Sequence, residues 1–275
     1  MNTPKSLALD LSSQVVLVTG GTRGIGHETV RQCLLAGASV AFCAPEPDEC
    51  AARAQAFGEE FGAHRVMAQP ANLLDKPSLD ALVQAVLTRW GRIDTLVCNA
   101  ADFGQTSALP DVDTDVFARV LQANVVGNFH LCRLVLPAMA QRGSGSVVLL
   151  ASIVGFTTMP TNIPYSSSKA ALMSMTRSLA AEVASRGVRV NAIAPGLIRT
   201  VASRDIWSNP ALASSYVREK IPMQRMGEPS DIASAIVFLA SPLASYITAA
   251  IVPVDGGRFG VGQPAGTLAQ LSAAN

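Results

Sequence analysis

Tyr165 and Lys169 stand four residues apart near the start of a helical pattern, so their side chains share one face, a single turn apart. Ser152 closes the apolar run Ser146–Ala151, which reads as a strand. A phenol, an ammonium and a hydroxyl so placed have a coherent chemistry. Reducing a ketone requires a hydride at carbon and a proton at oxygen, and a phenol can deliver the proton. Free tyrosine ionises near ~10, so proton exchange at neutral pH requires a lowering of about 3 pH units, worth ~4 kcal/mol. An ammonium one turn away pushes in that direction. A serine hydroxyl at the carboxyl edge of a strand can donate to the substrate oxygen and orient it. Tyr-x-x-x-Lys alone also describes an ordinary amphipathic helix face. Only three tyrosines occur in the chain, however, and this one follows a strand-ending serine.

A second motif lies upstream. Thr19-Gly20-Gly21-Thr22-Arg23-Gly24-Ile25-Gly26 follows the apolar run Val15–Thr19 and opens a helical pattern. A dinucleotide pyrophosphate needs close backbone approach and free N–H groups at a helix N-terminus. Glycines permit the tight turn and remove the Cβ atoms that would block the phosphate. The spacing, G-x-x-x-G-x-G, differs from the commoner G-x-G-x-x-G. A Gly-rich connection without a ligand is the plain alternative, and its place in a first βαβ unit argues for the nucleotide. An acidic residue about 20 positions on would hold the ribose of NAD. The second strand instead ends Phe42-Cys43-Ala44-Pro45-Glu46, and Pro45 is expected to carry Glu46 beyond the ribose. No Arg or Lys occurs in that stretch to meet a 2′-phosphate. Arg23 is the basic side chain nearest that phosphate, which favours NADP(H) over NAD(H).

The elements that must position these groups alternate along the chain. Strands are expected at Val15–Thr19, Ser39–Cys43, Arg65–Ala68, Asp94–Cys98, Ser146–Ala151, Val188–Ala194 and Ala250–Val254. Several are almost continuously apolar, as parallel strands covered on both faces must be. Helices are expected at Gly24–Ala36, Asp48–Phe61, Ser78–Trp90, Asp113–Gln141, Pro164–Ser185 and Asp231–Ala240, with glycines just after most of them as C-caps. The pattern predicts a doubly wound, seven-stranded parallel sheet in three αβα layers, a Rossmann fold. One domain is expected over 1–275. A partly helical flap at about 199–228 would cover the strand ends, and 259–275 would be a loose tail.

Composition narrows the function classes. The 275 residues are 49% hydrophobic and 15% charged with a net charge of +1, which excludes global disorder. The absence of a Lys/Arg run argues against nucleic-acid or acidic-membrane partners. The longest apolar stretch, around Val147–Phe156, is interrupted by Ser152 and too short to span a bilayer. Residues 1–10 lack the pattern of a signal peptide. The five cysteines (Cys33, Cys43, Cys50, Cys98, Cys132) form no C-x-x-C pair, so reduced core thiols of a cytoplasmic protein are expected, with no disulfide and no metal site.

Taken together, the chain resembles the short-chain dehydrogenase/reductase family in its single-domain form, from about Val15 to Gly257. The resemblance rests on Thr19-Gly20-x-x-x-Gly24-x-Gly26, Asn99-Ala100, Asn124, Ser152, Tyr165-x-x-x-Lys169, Pro195-Gly196 and Asp255-Gly256-Gly257, in the family's order and spacing. It implies Tyr165 as general acid/base and Lys169 as the group that lowers its pKa and bonds the nicotinamide ribose. It implies Ser152 on the carbonyl oxygen, and Asn124 holding a water that links Lys169 to solvent. Gly20, Thr22, Arg23, Gly24, Ile25 and Gly26 would hold the pyrophosphate side, and Asn72 with Leu73 the adenine. Asn99, Ala100 and Ala101 would lie beside the nicotinamide ribose. Pro195, Gly196, Ile198 and Thr200 belong to the stretch that receives the carboxamide. The family often has Asp where Asn72 stands and Gly where Ala101 stands, and an Asn carbonyl can still accept a hydrogen bond.

The chain is also similar to 3-oxoacyl-carrier-protein reductases, as are relatives acting on sugars, steroids and small ketones. Apolar residues after Ser152 (Val154, Phe156), Asp102-Phe103 and the flap residues Leu197, Trp207 and Met223 are expected to line the substrate pocket, pointing to an apolar ketone or secondary alcohol. Two other readings were weighed. A nucleotide-sensing regulator would usually lack the tyrosine or lysine, and a sugar-nucleotide epimerase or dehydratase would need more chain after Gly256. The resemblance also implies a homo-oligomer, tetramer or dimer, with the Ser- and Ala-rich helix Pro164–Ser185 at one interface.

Overall fold

Short β-branched runs and the helices between them form seven strands in one sheet. The structure is a computed structural model that describes residues 9–261. The strands are β1 (Val15–Thr19), β2 (Ser39–Cys43), β3 (Val66–Ala68), β4 (Thr95–Cys98), β5 (Gly145–Leu150), β6 (Val188–Pro195) and β7 (Ile251–Val254). All neighbours pair in parallel, in the order β3-β2-β1-β4-β5-β6-β7. The strand order reverses at β1, with β2 on one side and β4 on the other, so the crossovers part there and leave a crevice at the carboxyl ends. The expected strand bounds hold to within a residue.

Both faces are covered, which is why the central strands β1 and β4 are buried at every position and apolar except at Thr19 and Thr95. On one face pack α1 (Gly24–Leu35), α2 (Pro47–Phe61) and α9 (Pro229–Ala240), through Val30, Phe57 and Ile236 against Val16, Val18 and Ile193. On the other lie α3 (Lys76–Trp90), α5 (Asn128–Arg142) and α6 (Ile163–Val183), through Leu82, Leu131 and Leu172 against Leu96 and Leu149. The helical run expected at Asp113–Gln141 is present but not uniform. It comprises α4 (Thr114–Leu121), a π-helical turn Gln122–Gly127, and α5. The flap segment holds a 3₁₀ turn at Val201–Ser203, α7 (Arg204–Trp207) and α8 (Pro210–Lys220).

All five cysteines are buried and unbridged. Burial pushes the Cys33 and Cys43 thiols up to about 12. Among the described residues, no helix is long and apolar enough to cross a membrane. Most of the expected tail, 262–275, lies outside the described residues.

Candidate active site

The glycine turn is tied to the crevice by side chains of the neighbouring strands. Gly20 has φ +69, and a Cβ at Gly26 would collide with the Gly20 carbonyl oxygen. Asn99, just past β4, donates through Nδ2 to the Thr19 and Gly20 carbonyls at 2.9 and 3.1 Å. The Thr19 hydroxyl accepts the Asn99 and Ala100 amides at 3.0 Å each. Asn99 therefore fastens the turn to the sheet from below. Arg23, at the N-cap of α1, makes no side-chain bond to the first turn. The amides there point at the crevice, as phosphate binding requires.

A cleft of about 430 Å³ opens above this turn, lined from Cys43–Glu46 and Asn72 across to Thr200–Ala202. Gly20, Thr22, Arg23, Gly24 and Ile25 line it, as do Leu73, Asn99, Ala100 and Ala101. This glycine cradle, helix N-terminus and adjoining cleft fit a dinucleotide. The other expected cofactor residues lie around the cleft without lining it. Gly26 is buried beneath the turn, Gly196 donates its amide to the Val254 carbonyl at 3.0 Å, and Pro195 ends β6. The Ile198 side chain is 6% exposed and belongs to the core. Asn72 lines the cleft, but its Oδ1 already accepts the Leu74 amide at 2.9 Å.

Two ribose-side expectations change. Glu46 lines the cleft rather than lying beyond it, because the chain turns at Ala44–Pro45 and Glu46 becomes the N-cap of α2. Arg53, seven residues further along α2, borders a recess shared with Thr22 and Arg23, together with Glu49. Nothing in the strand-end motif signals Arg53, since a helix turn brings it back.

The Ser, Tyr and Lys set is assembled as the spacing predicts. The Tyr165 phenol lies beside Ser152, whose hydroxyl favours its ionised form. Lys169 Nζ lies 5.3 Å from the Tyr165 ring centroid and donates to the Leu150 carbonyl at 2.6 Å. Ser152 caps a 3₁₀ turn, Ile153–Gly155, through the Val154 amide. That turn directs Val154 into the core at 7% exposure, so it does not line a pocket as expected. Trp207 is held by an Nε1 bond to the Thr200 carbonyl at 2.7 Å, and Met223 is 61% exposed.

Burial sets the electrostatics of the pair. Burial pushes the Tyr165 phenol well above its usual range, and the Ser152 hydroxyl only partly offsets this. Burial also pushes Lys169 down to about 7. One apolar setting disfavours charge on both groups in the free chain.

Asn124 sits in the π-helical turn and is fully buried. Its Oδ1 accepts the Asp102 amide at 2.7 Å, and its Nδ2 donates to the Asp102 carbonyl at 2.8 Å and Ser168 Oγ at 3.0 Å. Its own carbonyl accepts Asn128 Nδ2 at 2.7 Å. The Asn124 side chain thus clamps the segment after β4 to α6. Sequence reasoning missed Asn162, the N-cap of α6. Its Oδ1 accepts the Tyr165 amide at 3.3 Å, and its Nδ2 donates to the Phe103 carbonyl at 2.8 Å. Asn162 followed by Pro164 was the available signal.

Comparison with known proteins agrees with this geometry. A family model described as Enoyl-(Acyl carrier protein) reductase matches residues 20–258. Dehydrogenase/reductase SDR family member 4 of Mus musculus is 37% identical over 250 residues, 90% of this chain and 88% of that one. A 3alpha-hydroxysteroid dehydrogenase of Mediterraneibacter gnavus is 32% identical, over 90% of this chain and 97% of that one. The solved structure of levodione reductase superposes with a TM-score of 0.85 at 31% identity, covering 91% of this chain and 99% of that one.

Proposed function

The chain belongs to the short-chain dehydrogenase/reductase family, an NAD(P)-dependent oxidoreductase acting on CH–OH groups, and from that premise we propose that it reduces an apolar ketone with Tyr165 as general acid. The observation that carries this reading is Lys169 Nζ held 5.3 Å from the Tyr165 ring by its bond to the Leu150 carbonyl, with Ser152 beside the same phenol.

The nicotinamide, when bound in the cleft, supplies the hydride. The Ser152 hydroxyl donates to the substrate oxygen and turns it toward Tyr165. The phenol, which burial keeps protonated, gives its proton to that oxygen as negative charge develops there. Lys169, anchored on Leu150, stabilises the phenolate left behind. Asn124 acts as a positioning residue, holding Asp102 and Ser168 on either side of the site.

NADP(H) is the proposed cofactor, supported by Arg23 and Arg53 on one recess beside the glycine turn, with Glu46 and Glu49 as the opposing charges. A homo-oligomer, tetramer or dimer, is supported by Phe129 of α5, 46% exposed. A cytoplasmic location is supported by five buried, unbridged thiols.

Tyr165→Phe tests the reading. Ketone turnover with NADPH is expected to fall by about 10²–10⁴-fold. The thermal upshift produced by NADPH is expected to persist in the variant and to exceed that produced by NADH at equal concentration. Full turnover by the variant would remove Tyr165 from the mechanism.

A further inference from the structure

One stacked aromatic pair includes Tyr165 and a second includes Phe156, at the end of the 3₁₀ turn that Ser152 caps. Phe103 lies on Tyr165 itself, with ring centroids 5.1 Å apart and planes 23° from parallel. Phe156, four residues beyond Ser152, stacks on Phe259 at 4.3 Å and 20°. Phe103 lines the cleft, whereas the tyrosine beneath it does not. The ring is 49% exposed, so one face is used on Tyr165 and the remainder meets solvent.

Phe103 is held there by its neighbours on both sides. Its carbonyl accepts Asn162 Nδ2, and Asp102 before it is bonded to Asn124 and paired with Arg119 at 2.8 Å. Gly104 after it has φ +65, and its amide is accepted by Asp102 Oδ1 at 2.8 Å. Phe259 is similarly fixed: its amide donates to Asp255 Oδ2 at 2.6 Å, and the neighbouring Arg258 guanidinium lies 5.1 Å from the Tyr216 ring centroid. Phe259 is itself 41% exposed. Phe103, anchored by these polar bonds yet left half in water over Tyr165, offers a flat apolar face to whatever carries the carbonyl. Ring faces select for a flat, unsaturated partner, since offset stacking adds to simple area burial.

We propose, on the carbonyl-reductase reading above, that the substrate is a ketone whose carbonyl adjoins a planar aromatic or conjugated ring, and that Phe103 is the residue that selects it. The exposed edge of the Phe103 ring receives the substrate ring, and the Phe156–Phe259 pair forms the second wall.

The experiment compares acetophenone with cyclohexyl methyl ketone, which has the same carbon skeleton without the flat ring, using NADPH as reductant. Steady-state kcat/KM is measured for the wild type, Phe103→Leu and Phe103→Tyr, with the Kd of NADPH determined by fluorescence for each. The wild type is expected to prefer the aryl ketone. Phe103→Leu is expected to reduce that preference about three- to tenfold, the size of one aromatic stack, and Phe103→Tyr to retain it. NADPH binding by all three proteins establishes that each is folded. Equal kcat/KM for the two ketones in the wild type, or a preference unchanged in Phe103→Leu, would overturn the aromatic wall and leave the reductase reading standing. Turnover of neither ketone by a wild type that binds NADPH would overturn both.

Discussion

Helices α1 and α8 are almost equal in length, 12 and 11 residues, yet α1 buries five of its residues and α8 buries none. Their supports differ in kind. α1 packs on the sheet and against α9 through Val30, Cys33 and Leu34, so its N-terminus is as fixed as the core. The segment around α8 is held by separate polar latches: Asn209 capping α8, Trp207 on Thr200, and Arg258 over Tyr216. A ligand shared by all members of a nucleotide-using family can be met by an immovable backbone cradle. A ligand that differs from one enzyme to the next is met by parts whose removal costs the core little.

Substitutions in the two regions should therefore fail differently. The largest effect is expected from Gly26→Val, whose branched side chain would have to enter the Gly20 carbonyl. It should cost at least about 3 kcal/mol, lowering Tm by roughly 10 °C by calorimetry, and abolish NADPH-induced stabilisation. Asn124→Ala comes next. It removes the side-chain partner of the Asp102 amide and carbonyl and the bond to Ser168 Oγ. A loss of about 1–3 kcal/mol is expected by denaturant titration, with KM for ketone raised more than Kd for NADPH. If Kd moves more than KM, Asn124 belongs to the cofactor side instead.

A pH series sharpens the contrast within the site. Lys169 falls from 10.5 to about 7 on folding, so between those values the unfolded chain binds a proton that the folded chain does not. Stability should rise with pH across that window and be constant in this respect below it. The wild-type Tm, measured at about pH 7 and pH 9, should increase by several degrees relative to Lys169→Met, which has nothing to titrate. An identical pH dependence in the two proteins would mean the lysine is not desolvated. The smallest effect is reserved for the latched region. Trp207→Phe removes one 2.7 Å bond and should leave Tm within about 2 °C while raising KM a few-fold.

The sheet was legible because burial on two faces makes β1 and β4 apolar except for Thr19 and Thr95, and the apolar runs end where the strands end. Ser152, Tyr165 and Lys169 were legible because a strand end and a helix turn bring them together with no help from distant chain. What escaped depends on contacts between elements remote in sequence. The π-helical turn at Gln122–Gly127 contains no proline and keeps the helical apolar pattern, so nothing local marks it. Asn124 clamping Asp102, and Asn162 holding Phe103, link residues 22 and 59 positions apart. Arg53 was overlooked because a search confined to the end of β2 stops before α2 turns back. The desolvation of Tyr165 and Lys169 was not legible, because spacing shows proximity and says nothing about burial.

The buried thiols have a practical consequence. Cys33, Cys43, Cys50, Cys98 and Cys132 are distributed over α1, β2, α2, β4 and α5, on both faces of the sheet. An alkylating reagent needs an accessible thiolate, and the native fold withholds both access and ionisation at Cys33 and Cys43. The protein thus carries its own clock: the order in which five sulfurs become labelled records the order in which its layers come apart.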